Sequence, residues 1–114
     1  MKSLKIAAEK LLNGVIATGA GNKSSLDGPK HTFDANGTTS AGSGSATIRI
    51  EVSSVEDPLV DGDWKLAGTI TLTLGTTKTS DGFTMDAPWK WVRGNVSAIS
   101  GTNAAVTLWK GSPR

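Results

Sequence analysis

The chain is governed by stretches in which apolar and polar residues alternate with a period of two. The longest runs over residues 86–99, Asp86-Ala87-Pro88-Trp89-Lys90-Trp91-Val92-Arg93-Gly94-Asn95-Val96-Ser97-Ala98-Ile99. In an extended strand, Trp89, Trp91, Arg93 and Asn95 point one way, and Lys90, Val92, Gly94, Val96 and Ala98 the other. Residues 46–53 alternate most cleanly, with Ala46, Ile48, Ile50 and Val52 inward and Thr47, Arg49 and Glu51 outward. Residues 64–74 put Trp64, Leu66, Ile70, Leu72 and Leu74 on one side and Thr69, Thr71 and Thr73 on the other, with Gly68 marking a bulge or a bend. Residues 104–110 put Ala104, Val106 and Leu108 inside and Ala105, Thr107 and Trp109 outside. Such strands belong to antiparallel sheets with one wet face.

Weaker strands are expected over residues 11–17 and 29–36, the second anchored by Phe33, and a short strand or core-covering loop at Phe83 and Met85. Residues 38–45 read as a flexible connection, 55–63 as an acidic loop and 100–103 as a turn. Residues 1–12 are open between two readings. Leu4, Ala8, Leu11 and Leu12 share a helical face behind a Ser3 cap, but the segment also suits an extended arm that pairs with a partner chain. Gly, Ser and Thr make up more than a third of the chain, which favours short strands joined by polar turns. The expectation is a single all-β domain over residues 1–114, an antiparallel β-sandwich or jelly roll of about seven strands.

Several function classes drop out. Without cysteine there is neither a disulfide framework nor a thiolate zinc site. A net charge of +2, from interspersed charges, gives no footprint for nucleic acid or an anionic membrane. No run approaches the roughly 20 apolar residues of a membrane-spanning helix. Glu9 and Lys10 break the apolar core that a secretory leader would need.

The chemistry-bearing residues form no catalytic set. His31, the single histidine, sits between Lys30 and Thr32 and is expected at the surface. It has no Gly-x-Ser-x-Gly elbow to serve. The carboxylates Glu56, Asp57, Asp61 and Asp63 share a Gly- and Pro-containing loop, where charge is readily solvated and the EF-hand spacing is missing. Gly19-Ala20-Gly21 and Gly42-Ser43-Gly44 precede no helix pattern and are not phosphate loops. The chain is therefore expected to be no enzyme and to need no cofactor or metal.

The tryptophans are the most informative polar-to-apolar feature. If Val92, Val96 and Ala98 face the core, Trp89, Trp91 and Arg93 form an outward row suited to an interaction surface, with Trp109, Leu11 and Leu4 as further candidates. Two other readings compete: a flat aromatic platform for sugars, and a strand buried on both faces with a loop over Trp91.

A resemblance adds to this. Its elements are Leu12-Asn13-Gly14-Val15 leading to Ala17-Thr18-Gly19-Ala20-Gly21, then Gly37-Thr38-Thr39-Ser40-Ala41-Gly42-Ser43-Gly44. Thr69-Ile70-Thr71-Leu72-Thr73-Leu74 follows, and then residues 91–102, from Trp91-Val92-Arg93-Gly94-Asn95 to Ser100-Gly101-Thr102. In this order they resemble small structural proteins of tailed bacteriophages, and the jelly-roll capsid decoration (cement) proteins of epsilon15-like short-tailed phages. The resemblance covers most of the chain beyond residue 10, through framework motifs rather than site motifs. It implies a jelly roll on the outer surface of a phage head, assembled in the host cytoplasm. It also implies a homo-oligomer, dimer or trimer, that contacts the major capsid protein. A strand edge or the Leu4–Leu12 arm would then add to a neighbour's sheet. Alternatives are a carbohydrate-binding module and a tail or head–tail connector component.

Overall fold

The computed structural model describes residues 6–26, 30–86 and 89–113. They form nine strands: β1 (Ile6–Val15), β2 (Gly19–Ala20), β3 (Ser24–Ser25), β4 (Lys30–Thr38), β5 (Ala41–Ser53), β6 (Lys65–Leu74), β7 (Thr79–Asp86), β8 (Trp91–Thr102) and β9 (Ala105–Pro113). One 3-10 turn, Asp61–Asp63, lies between β5 and β6. The first sheet has the order β1-β9-β4-β7. The second has the order β2-β8-β5-β6, with β3 also on β8, and every ladder is antiparallel.

The order has a simple origin. With β2 and β3 counted as one interrupted strand, the first strand pairs with the last, the second with the last but one, and so inward to the adjacent pair β5 and β6. A long antiparallel ribbon rolled onto itself gives this nesting, which is the antiparallel jelly roll. The sheets lie face to face in a slab whose shortest extent is 17 Å. Seven strands are long; β2 and β3 are two-residue remnants.

The core fills the space between the sheets. Ile48, Ile50 and Val52 of β5, Ile70, Leu72 and Leu74 of β6, and Val92 and Val96 of β8 meet Phe33 and Ala35 of β4 and Val106 and Leu108 of β9. The expected inward sets of residues 46–53 and 104–108 hold. Phe83 and Met85 pack on the core from β7. The Phe33 and Phe83 rings stand 5.5 Å apart. Gly94 is needed where it stands, because a Cβ there would come within 2.6 Å of Leu108.

Bulges account for the departures from the sequence expectation. Thr47 opposes Ala98 and Ile48 opposes Val96, so Ser97 is an extra residue in β8. Beyond it the phase reverses, and Ala98, expected inside, is exposed. Ala67 is extra in β6 in the same way, since Ile50 opposes Gly68 and Glu51 opposes Leu66. Leu66 is thus carried to the outer face with Glu51 instead of joining Ile70 inside, and Trp64, also expected inside, lies beyond it toward the loop. In β1 a register shift between Lys10 and Leu12 leaves Leu11 and Leu12 both buried. Two adjacent inward leucines imitate helical spacing, which is why a helix competed with an extended arm as the reading of residues 1–12, of which residues 6–12 form a strand.

Three further expectations are corrected. Residues 41–45 are not a flexible connection but the first part of the thirteen-residue β5. The link from β4 is only Thr39 and Ser40, whose amides donate to the carbonyls of Gly75 and Thr102. His31, expected at the surface, is fully buried on the inner face of β4. Leu11, expected on an interaction surface, is in the core.

Candidate interaction surface

The outer face of the second sheet carries the densest polar cluster among the described side chains. Antiparallel register sets Glu51 of β5 against Arg93 of β8, and Arg49 against Asn95. Outward residues on neighbouring strands face each other at this spacing. Arg93 Nε donates to Glu51 Oε1 at 2.7 Å, and Arg49 Nε donates to Oε2 at 3.2 Å. Asn95 Nδ2 lies 3.4 Å from both carboxylate oxygens. Glu51 is only 6% exposed although it points away from the core. Its charge is accommodated there because two guanidinium groups and an amide satisfy it.

Arg93 joins this cluster to the loop of residues 54–64. Its Nη2 donates to Asp61 Oδ1 at 3.1 Å, and its guanidinium lies 4.5 Å from the Trp64 ring centroid. Trp91 Nε1 donates to the Glu56 carbonyl at 3.1 Å. Lys23 pairs with Asp57 at 2.7 Å and lies 4.9 Å from the Trp91 ring. Asp63 Oδ2 accepts from the amides of Leu59 and Val60, and so fixes the 3-10 turn from within. The acidic residues are thus spent separately on Lys23, Arg93 and the backbone. Among the described residues no three His, Cys, Asp or Glu side chains gather as a metal site.

Above this polar base the loop presents apolar side chains to solvent. Leu59 is 80% exposed, Val60 63% and Leu66 52%, with Val55 partly exposed beside them in sequence. Scattered single leucines on a surface mean little, but several on one loop and its following strand are a candidate contact patch.

The predicted residues separate. Trp91 and Arg93 stay on the outer face as expected but are half-buried beneath the loop. Trp89 lies before β8 begins and packs against the core, so it does not continue their row. Trp109 is on the outer face of the other sheet, with the Lys10 ammonium 5.0 Å from its ring. Leu11 is inside, and Leu4 lies outside the described residues. The tryptophans therefore do not combine into one flat platform. Sequence reasoning passed over Leu59, Val60 and Glu51. The available signal was the Leu59-Val60 pair set between Pro58 and Asp61 in an acidic loop.

No family model matches the chain, and no curated protein sequence matches it. Among solved structures, a chain from a CBM4 structure matches at 14% identity over 81% of this chain and 58% of that one, with a TM-score of 0.48, from which nothing is drawn. The crystal structure of the SPBc2 prophage-derived protein YomS matches at 12% identity over 100% of this chain and 97% of that one, with a TM-score of 0.62, so the two chains share their fold from end to end.

Proposed function

We propose that this chain is a structural protein of a phage virion, bound to the outside of the capsid as a decoration or cement protein. It acts by docking and bracing rather than by chemistry. The observation that carries the reading is the exposed apolar group of Leu59, Val60 and Leu66. Leu59 and Val60 are exposed on a loop tied by the Arg93–Asp61 pair and by Asp63, and Leu66 is exposed on β6, the strand that follows. A loop backbone held by such ties loses less entropy on contact than a free one. The end-to-end likeness in fold to a prophage-derived protein and the resemblance in framework motifs support the same reading. A lattice then multiplies a weak contact by many copies.

The test is co-sedimentation of the purified protein with capsids that lack it. The double variant Leu59→Ser, Val60→Ser exposes no new core and should melt like the parent. Its capsid affinity should fall about tenfold or more, the loss expected when central apolar contacts are removed. Unchanged co-sedimentation would contradict the proposed docking face. Absence of binding by the parent protein would contradict the function.

A further inference from the structure

The two sheets leave edges at β1, β7, β6 and the short β2 and β3. An open edge carries unpaired amides and carbonyls, and folded proteins guard such edges with charge, bulges or brevity. Three of these edges are guarded. β1 has two register shifts and carries Glu9 and Lys10. On β7 the Asp81 carboxylate takes the Gly82 amide at 2.8 Å. β2 and β3 have two residues each.

β6 differs. After the bulge at Ala67, Thr69 to Leu74 runs in unbroken register with β5 and contains no charge, proline or glycine. The direction of its free groups follows from its neighbour. The Ser53 carbonyl accepts from the Lys90 amide, and the Thr47 carbonyl accepts from the Ser97 hydroxyl, so the odd-numbered residues of β5 turn toward β8. Ala46 and Ile48 then turn toward β6 and bond with Leu72 and Ile70. That leaves the backbone groups of Thr69, Thr71 and Thr73 on the open side. The Thr73 carbonyl accepts from the Thr79 hydroxyl at 2.8 Å, which places it on the open side and leaves it one lone pair for an incoming amide.

We infer that the β6 edge joins the β6 edge of a second copy of this chain, antiparallel about a two-fold axis at Thr71, and makes one continuous sheet across the dimer. The segment is complementary to itself. Thr71 faces Thr71 of the second copy, and Thr69 faces its Thr73. The threonine side chains meet on the outer face, where such pairs are favourable. Ile70 and Leu72 remain in their own cores, so pairing requires no repacking. No like charges meet within the paired segment, and a two-fold contact closes on itself without forming fibres. The inference is independent of where the protein docks.

The experiment is sedimentation equilibrium of the full chain over a wide concentration range, together with amide hydrogen exchange. A monomer–dimer equilibrium is expected. The Thr69 and Thr71 amides should exchange about tenfold more slowly in the dimer, while the Thr76 and Thr77 amides of the next turn do not change. Thr71→Pro removes an amide that faces away from β5, a position where an edge strand tolerates proline. Thr71→Lys adds the missing guard. Both variants should keep the parent melting curve and weaken the dimer about tenfold or more, a loss of about 1.4 kcal/mol or more. A parent chain that is monomeric throughout would overturn the inference and leave the capsid reading standing. So would a dimer that survives in a folded Thr71→Lys variant, or one that forms without slowing the Thr69 and Thr71 amides.

Discussion

Glu51 shows how one residue can be central to a surface and invisible as such in sequence. Alternation assigned it correctly to the outer face, but its burial depends on Arg93 and Asn95, over forty positions away in sequence, and on a loop folding back over them. Removing one partner from a buried ion pair leaves the other charge unmatched, which outweighs the value of an exposed pair. Glu51→Ala should therefore cost about 3 kcal/mol in urea unfolding, while Glu51→Gln, which still accepts from Arg93, should cost less. Equal, negligible losses would show that the cluster is not a structural tie. Lys110 was illegible for the same reason. It lies on an inner position of β9, yet its ammonium reaches Ser24 Oγ at 3.1 Å and the Ser25 carbonyl at 2.6 Å, which ties the two sheets together. His31 looked exposed because its neighbours Lys30 and Thr32 are polar. In a strand, however, neighbours face the opposite way and report on the other side.

At the level of elements, the regular strands were readable, and of the bulged ones only β6 carried a signal, Gly68 beside its bulge. β5 from Ala46 onward and β9 to Leu108 keep period two, and their inward residues could be named from spacing. β8 and β6 each contain an extra residue and β1 contains two, and one insertion moves every later side chain to the other face. Gly68 marked the break in β6, as glycine inside a strand often does, whereas no residue preference marks Ser97, because a bulge is fixed by the pairing of two strands and not by one sequence. Deletion then gives opposite results at neighbouring positions. Deleting Ser97 restores simple register and leaves Val96 and Ile99 inward, so near-ultraviolet circular dichroism should retain the parent tryptophan signal and unfolding should stay cooperative. Deleting Asn95 moves the Val92 to Gly94 segment out of phase with Val96 and should abolish cooperative unfolding. Similar behaviour of both deletions would refute the bulge assignment.

The whole molecule is asymmetric along its strands. One end is closed by tight connections, such as Thr39 and Ser40, and by the turn where Asn103 takes a left-handed conformation with φ 50°. The other end carries the loop of residues 54–64 with its apolar patch, the start of β8 at Trp91, and the outer ends of β1 and β9. The fold class was legible because period-two alternation and frequent turns leave few alternatives to a sandwich. The candidate contact face was not, because it depends on the β5–β6 loop meeting Arg93 and Trp91 of β8 and Lys23, all distant in sequence. The exposed apolar residues at one end and the open β6 edge are the features on which the proposed bracing role rests. The most direct measurement is the copy number of this chain in purified virions by quantitative mass spectrometry. The account predicts a fixed stoichiometric ratio to the major capsid protein. Absence from virions, or the few copies of a tail or connector component, would contradict it.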